Sequence, residues 1–216
     1  MTAPSVPGRR DRKKRETRAA LSAAALRLVA ERGLDGVTVE DIAEACDLSA
    51  RTFFNYFTSK DEAVVSGDDE LDRVLDLFRA MPEGTSVFDA LRMAFVPAIF
   101  GIEADRESLG LRMRVVADNP QLLPRLFAVS AAAERRIARA IAERVGVAPD
   151  HTYPAVAAAV TGAAFRVALL RWAKECGTRP RPATLAALVD EAFDVVARGL
   201  VEPAAPAPAT SSHTSS

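Results

Sequence analysis

Apolar residues recur at helical spacing along most of the chain, and no segment shows the strict alternation of a half-buried strand. In the first long segment, about 15–32, Leu21, Ala24, Ala25 and Leu28 share one face of a helix. Similar patterns follow to about residue 201. The sequence therefore predicts an all-α fold of about nine helices.

Capping residues and breakers predict where these helices begin and end. Gly33 is expected to end the first helix in a left-handed conformation. Thr38 begins the second helix, Ser49 caps the third, and Ser59 with Glu62 forms a capping box for the fourth. The remaining helices are predicted over about 61–80, 86–104, 107–117, 121–145, 150–176 and 184–201. Pro97 should kink or divide its helix, and Asn119-Pro120 should break the chain.

The segment 38–60, TVEDIAEACDLSARTFFNYFTSK, reads as a helix-turn-helix. Phe53 and Phe57 are four residues apart, so both can pack against the two preceding helices. The opposite face then carries polar side chains at the positions that enter a major groove in such units. We therefore expect DNA contacts from Ser49, Arg51, Thr52, Asn55 and Tyr56. An ordinary polar surface is the alternative interpretation.

Two further residues are candidates for phosphate contacts. Lys60 lies at the start of the fourth helix, where an ammonium group adds to the free amides of a helix N-terminus. Thr38 lies at the start of the second helix, where pure capping is an equally good interpretation. The basic segment Arg9–Arg15 can enter a minor groove or follow the DNA backbone.

The charge distribution divides the chain. The first 60 residues carry 11 Lys/Arg against 8 Asp/Glu, whereas the remainder carries 17 against 21. A positive front end on a slightly acidic body is typical of a DNA-binding unit with a separate second domain. We predict a disordered basic arm over 1–14, a DNA-binding domain over 15–60, a helical domain over 61–202 and a disordered tail over 203–216.

Catalytic and metal chemistry find little support in the composition. There are only two cysteines and two histidines, and no glycine-rich phosphate loop or metal-spaced cluster. We expect no enzyme, no metal and no cofactor. The sequence also lacks a convincing signal peptide or a run of about 18 apolar residues, so we expect a cytoplasmic protein without a membrane partner.

From Arg18 through Val65 the chain resembles the N-terminal domain of TetR-type transcriptional regulators. The resemblance rests on the continuous pattern Ala24-Ala25-Leu26, Arg32-Gly33, Thr38-Val39-Glu40-Asp41-Ile42-Ala43, Ala45, Ser49, Phe53-Phe54-Asn55-Tyr56-Phe57 and Ser59-Lys60-Asp61-Glu62. The family usually has tyrosine where Phe54 stands, and often glycine or proline near Ala50–Arg51. Phe54 therefore belongs to the DNA-facing set but lacks a hydroxyl for phosphate.

The resemblance implies that the rest of the chain dimerises and binds a small-molecule effector of unknown identity. The helices about 150–176 and 184–201 would form a four-helix dimer interface, although packing within one chain is the alternative. Candidate effector-binding residues are Met93, Phe100, Arg112, Met113, Phe127, Phe165, Arg166 and Trp172. Such apolar residues are more often plain core. Arg112, Arg114 and Arg166 lie in apolar surroundings and can meet an anionic ligand, although such arginines more often pair with local acids, here Glu103 or Asp105.

Two functional hypotheses follow. In the leading one, a homodimer on double-stranded DNA acts as a ligand-responsive repressor, and the effector moves the recognition helices out of register. In the other, the protein is an architectural DNA binder without a ligand. The sequence names neither the operator nor the effector.

Overall fold

The computed structural model describes residues 9–66, 70–178 and 183–199, with side chains from 12–66, 71–175 and 183–199. These residues form ten α-helices and one 3-10 turn, and they contain no strand. The first five helices are α1 Arg9–Arg32, α2 Val39–Glu44, α3 Ala50–Phe53, α4 Lys60–Val65 and α5 Glu70–Ala80. The others are α6 Val87–Ala104, α7 Arg106–Asp118, α8 Leu123–Val145, α9 Thr152–Thr178 and α10 Leu185–Ala197, with the 3-10 turn Pro120–Leu122 before α8. The prediction of an all-α fold is confirmed.

The first helix starts earlier than the sequence pattern indicated. α1 begins at Arg9 rather than near Arg15, so residues 9–14 of the expected disordered arm are helical. Arginine, lysine and glutamate are good helix formers. An Arg12–Glu16 ion pair at 3.4 Å adds support one turn apart. Residues 1–8 and 200–216, which include the predicted tail, lie outside the described residues.

The predicted fourth helix, 61–80, is two helices in the structure. α4 ends at Val65, and Ser66 takes an extended conformation with ψ 131°. The Ser22 hydroxyl is within hydrogen-bonding distance of the carbonyls of Ala63 and Ser66. The Arg112 guanidinium donates to the carbonyls of Val64 and Ser66. In a continuous helix these carbonyls would accept hydrogen bonds from amides four residues further along. Here distant side chains donate to them instead, and the helix ends.

Other predicted boundaries agree with the structure. Gly33 and Gly146 end their helices with φ of +77° and +69°, conformations that favour glycine. Asn119 separates α7 from the 3-10 turn, as its proline neighbour predicted. Pro97 lies inside α6 without dividing it.

Two hydrophobic cores organise the chain. The first lies under α1–α4 and contains Phe53 and Phe57, and it also takes Val115 from α7 and Leu122 from the 3-10 turn. The second joins α5, α6, α8, α9 and α10 around Phe78 and Phe193. We call residues 9–66 the head and the remaining described residues the body. Since α7 and the 3-10 turn contribute to the first core, and the start of α8 packs against it, the body contacts the head through these elements.

Helix α9 is apolar on two sides. Its inner side buries Pro154, Ala158, Thr161, Ala164, Ala168 and Trp172. Its outer side leaves an apolar stripe, defined as Tyr153, Val156, Val160, Ala163, Val167 and Leu170, at alternating three- and four-residue spacing. Consequently Thr152–Glu175 contains an 18-residue window with a mean hydropathy of 1.5, of which 28% is buried, and this helix is long and apolar enough to cross a membrane. This mean hydropathy is reached without an uninterrupted run of 18 apolar residues, which is why the sequence pattern did not indicate it. One such helix is weak support for a membrane span, because an interface helix has the same composition.

Candidate nucleic-acid interface

Two buried phenylalanines fix the segment that follows the helix-turn-helix turn. Phe53 and Phe57 are 0% and 1% exposed, and their ring centroids lie 5.5 Å apart. Phe53 ends the short helix α3, and the next residues continue as turns that place Phe57 on the same inner side. The prediction that both rings face the head core is confirmed, and it sets which side chains point outward.

The outward side presents the polar residues that the pattern predicted. Arg51 and Asn55 are exposed, while Thr52 and Tyr56 are half-buried. Phe54 is 57% exposed and meets Phe53 edge to face, with centroids 5.6 Å apart and planes at 89°. A guanidinium group, an amide and an aromatic ring thus share one solvent-facing surface, where they can meet base edges, phosphates or thymine methyl groups.

The turn between α2 and α3 depends on one left-handed residue. Asp47 has φ of +55°, a region that aspartate tolerates better than most residues. The next amide, that of Leu48, donates to the carbonyl of Ala43 at 2.9 Å and closes the turn. Ser49 then caps α3 by accepting from the Thr52 amide at 3.1 Å. The turn and the cap together set the direction in which α3 leaves the turn.

Thr38 caps α2 through a reciprocal arrangement with Asp41. The Asp41 amide donates to the Thr38 hydroxyl oxygen at 3.1 Å, while the Thr38 amide donates back to the Asp41 carboxylate at 2.8 Å. The Thr38 hydroxyl proton also goes to that carboxylate, at 2.6 Å. The hydrogen bonds from the Thr38 hydroxyl and amide lower the pKa of Asp41. The structure shows the capping role of Thr38, while its hydroxyl proton is donated to Asp41; the phosphate contact of Thr38 stays a prediction.

Lys60 reaches back into the head. Its ammonium donates to the carbonyls of Leu34 and Val37 at 2.7 and 2.9 Å, in the loop between α1 and α2. Two of its three protons are therefore engaged within the chain, and one remains for another acceptor. The sequence predicted a phosphate contact at this residue, and the structure adds a role in holding α4 against that loop.

Arg18 is a residue whose role the sequence pattern did not reveal. In the sequence it marks only the start of the segment that resembles TetR-type regulators. In the structure its guanidinium donates to the Tyr56 carbonyl and lies over the Phe57 ring, 4.2 Å from the centroid. A cation over an aromatic face is attracted to it. We call residues 49–57 the recognition segment. Arg18 therefore positions the end of the recognition segment, and only a long-range contact could have indicated this.

Glu62 also differs from the predicted capping box. Ser59 accepts from the Glu62 amide at 3.2 Å as expected, but the Glu62 carboxylate receives the amide and the hydroxyl of Thr58 at 2.8 and 2.7 Å. Arg125, from α8, donates to the same carboxylate and to the Thr58 hydroxyl. Burial alone would raise the pKa of Glu62, but the hydrogen bonds from Thr58 and Arg125 outweigh it, and the pKa is lowered. The body thus touches the chain directly after the recognition segment.

Comparison with known proteins agrees with this geometry. Residues 21–64 match the family of bacterial regulatory proteins described as tetR, and residues 85–201 match the family described as the MftR C-terminal domain. The chain is 36% identical over 178 residues to the transcriptional regulator TcmR of Streptomyces glaucescens, covering 78% of each protein. This chain belongs to the TetR family of transcriptional regulators. It is also 31% identical to MftR of Mycobacterium tuberculosis, named as a regulator of mycofactocin biosynthesis, over 83% of this chain and 89% of that one.

Solved structures of TetR-family proteins share the fold at lower sequence identity. The fatty acid degradation regulator FadR of Bacillus halodurans superposes with a TM-score of 0.52 at 19% identity, covering 87% of this chain and 97% of that one. FadR of Thermus thermophilus, solved with lauroyl-CoA, gives 0.51 at 22% identity, covering 88% and 98%. These likenesses concern the fold alone.

In this TetR-family body the predicted effector residues are scattered. Met93, Phe100, Met113 and Phe127 are exposed, and Phe165 stacks on the core residue Phe95 with centroids 4.9 Å apart. The two predicted arginines are engaged elsewhere: Arg112 binds backbone carbonyls of α4 and of Ser66, and Arg166 pairs with Glu134 at 3.7 Å. The anticipated partner Glu103 instead accepts amides at the start of α10.

Trp172 alone of the predicted eight lines the cleft between α7 and α9. This cleft measures about 360 Å³ and is lined by Arg106, Glu107, Leu109, Gly110, Arg114, Trp172 and Ala173. The sequence pattern had indicated Arg114 as a residue that can meet an anion, but it did not indicate Arg106 or Gly110, since no periodicity shows which helix face meets a neighbouring helix.

Proposed function

We propose that this TetR-family protein is a ligand-responsive repressor that binds a palindromic operator as a homodimer and is released by a small-molecule effector. The observation that carries the proposal is the recognition segment, where buried Phe53 and Phe57 leave Arg51 and Asn55 exposed. Arg51 would bind guanine bidentately, and Asn55 would bind adenine or a phosphate. Such an operator lies on chromosomal DNA, so we place the protein in the cytoplasm.

In this proposal the other predicted contacts orient the recognition segment on the DNA. Ser49, Thr52 and Tyr56 would reach phosphates or thymine methyl groups, and the remaining proton of Lys60 would meet a phosphate. Arg12, Lys13 and Lys14 are exposed at the start of α1, where they would follow the DNA backbone. The DNA-binding domain would extend over 15–60 and the effector-binding and dimerisation domain over 61–202.

The homodimer would form through α9 and α10. The apolar stripe on α9 includes Val156, Val167 and Leu170, which are 53%, 62% and 46% exposed, and Val195 on α10 is 45% exposed. Spacing that alternates between three and four residues is the seam that two packed helices bury. Two copies related by a two-fold axis would each bury the stripe, and the same axis would present two recognition segments to two half-sites.

Effector release would use the contacts between body and head. Arg112 from α7 and Arg125 from α8 hold the end of α4 and the Thr58–Glu62 turn. A shift of either helix would therefore reorient the recognition segment. Two proteins of the same fold were solved with small molecules, FadR of Thermus thermophilus with lauroyl-CoA and SmeT with triclosan, which supports a small-molecule effector for this chain. A ligand that binds one arrangement better than the other changes the DNA-binding population.

A gel-shift experiment with DNA from upstream of the protein's own gene tests the proposal. We expect sequence-specific retardation by the dimer, and weaker, less selective retardation by Arg51→Ala. Arg135→Ala removes an exposed arginine from α8 of the body and is the matched control. It should bind as the unchanged protein does.

Two outcomes would count against the proposal. Equal binding to the upstream fragment and to a scrambled fragment would indicate an architectural DNA binder. Loss of binding in Arg135→Ala equal to that in Arg51→Ala would remove the recognition segment from its assigned role.

A further inference from the structure

One helix position without a side chain, Gly110, opens onto the cleft between α7 and α9. Arg106, Gly110 and Arg114 are spaced four residues apart and therefore share one face of α7. A Cβ atom built on Gly110 would meet nothing closer than the Arg114 guanidinium at 3.9 Å, so no neighbouring atom excludes a side chain here. Glycine inside a helix destabilises it by roughly 0.5–1 kcal/mol relative to alanine. The structure shows one consequence of this residue, which is an open notch between two arginines.

The arginines at the two ends of the notch are available to a ligand. Arg106 and Arg114 are exposed, and in the described part of the chain neither has an ion pair or hydrogen-bond partner. By contrast, Arg112 on α7 and Arg125 on α8 donate hydrogen bonds to residues of the head. Glu107 is the single carboxylate in the lining, so the cleft carries a net positive charge. Guanidinium groups bind carboxylates and phosphates with paired hydrogen bonds.

The opposite wall is apolar. Trp172 on α9 is 5% exposed and lines the cleft together with Ala173, and Leu109 lies on the α7 side. A cleft of about 360 Å³ lies at the small end of the range of ligand pockets, roughly 300–1,000 Å³. An apolar wall beneath two cations favours a ligand that has a charged head and a short apolar body.

We infer that the α7–α9 cleft is a binding site for a small amphipathic anion, with its carboxylate or phosphate held by Arg106 and Arg114 and its apolar part against Trp172 and Leu109. Calling this anion the effector rests on the proposed function; the binding itself does not. Occupancy would act on α7, the helix that also carries Arg112. Arg112 lies between Gly110 and Arg114 along this helix, so the cleft adjoins the contact that fixes the end of α4.

Fluorescence titration of the DNA-free protein tests the inference directly, because Trp172 is the single tryptophan of the chain. The probes are octanoate, octyl phosphate, octan-1-ol and octylamine, which share one chain length and differ in head group. We expect octanoate or octyl phosphate to shift the Trp172 emission saturably, with the alcohol and the amine at least about tenfold weaker, as the loss of a charge-assisted hydrogen bond implies. Whichever anion binds more tightly identifies the head group as carboxylate or phosphate.

Two substitutions complete the test. Arg114→Gln should weaken anion binding by about tenfold and leave octan-1-ol binding unchanged. The anion affinity of Arg114→Lys should lie between those of the unchanged protein and Arg114→Gln, because the charge stays and the paired geometry is lost. Gly110→Leu should fill the notch and weaken all four probes; circular dichroism confirms that each variant is folded.

Equal affinity for the alcohol and the anions, or an anion affinity unchanged in Arg114→Gln, would overturn the inference. So would absence of a saturable Trp172 response to both anions. Since no DNA is present, these results are independent of operator binding. Addition of the better anion to the protein–DNA complex, followed by anisotropy, then tests separately whether the anion is the effector.

Discussion

The head completes its apolar core within one chain, whereas the body leaves part of its apolar surface open. Phe53 and Phe57 are sealed by α1, α2 and α4, and the outward side of the recognition segment is polar except for Phe54. In the body, Val167 and Leu170 stand in solvent although the same helix buries Ala168 and Trp172. The contrast agrees with the proposal that the head meets a hydrated, charged partner and the body meets another apolar surface.

The sharpest test of the self-contained head compares two neighbouring phenylalanines. Phe53→Ala should lower the free energy of unfolding by about 3–5 kcal/mol, because it empties a fully buried site. Phe54→Ala should change it by only about 0.5 kcal/mol, since that ring is largely exposed. Urea denaturation measures both. Equal losses would mean that Phe54 belongs to the core and that the outward face has been assigned wrongly.

The open body is tested by a charge placed on the stripe. Val167→Glu should weaken self-association by about 100-fold, because two-fold symmetry buries the carboxylate twice. The matched control is Val96→Glu, at an exposed valine on α6 outside the stripe. Sedimentation velocity gives the dissociation constants. A dimer that survives Val167→Glu but not Val96→Glu would move the interface to α6.

The variant Lys60→Ala tests two contributions of one side chain, one to the stability of the head and one to DNA binding. Lys60→Ala removes hydrogen bonds to two carbonyls and should lower the free energy of unfolding by about 1–2 kcal/mol. If the third proton meets a phosphate, the slope of log K against log salt should also fall by about one, without a change in sequence preference. A changed base preference would contradict the phosphate assignment.

Acidification tests the contact where the body touches the head. The pKa of Glu62 is lowered below its ordinary value of 4.5, so its ionised form stabilises the fold above that pH, and this contribution is lost as the pH falls through the folded-state pKa. The stability advantage of the unchanged protein over Glu62→Gln should therefore be present at neutral pH and shrink below pH 4.5. Urea titrations across this range measure it.

A matched cycle isolates the cause of that pH dependence. In a Thr58→Val background the hydroxyl donor to Glu62 is absent, so the advantage over Glu62→Gln should be smaller at neutral pH. An advantage that grows on acidification would reverse the sign of the pKa shift and contradict the assigned hydrogen bonds.

Local signals were sufficient to predict much of the head. The four-residue spacing of Phe53 and Phe57, the cap at Ser49 and the left-handed Gly33 each act within one or two helical turns. The sequence therefore indicated correctly which residues face outward. The same local rules predicted the all-α body and the break at Asn119.

Long-range contacts account for most of what the sequence did not reveal. The break after α4 depends on Arg112, which is 46 residues from Ser66 in the chain. The second hydrogen-bonding role of Lys60 depends on carbonyls 23 and 26 residues away. The scattered effector candidates failed to converge for a similar reason, since an apolar residue carries no information about which helix it will meet. Trp172 lines a cleft because of Gly110 and Arg114 on another helix.

In the proposed function, Arg51 and Asn55 read bases from a segment fixed by two buried rings. Selection of bound sequences from a randomised DNA library, carried out with the unchanged protein and with Arg51→Ala, tests this role of the two side chains. We predict an inverted repeat for the unchanged protein, and for Arg51→Ala the loss of preference at one guanine position in each half-site, with a cost of about 1–3 kcal/mol. An identical preference in both proteins, or a selected sequence without two-fold symmetry, would contradict the account.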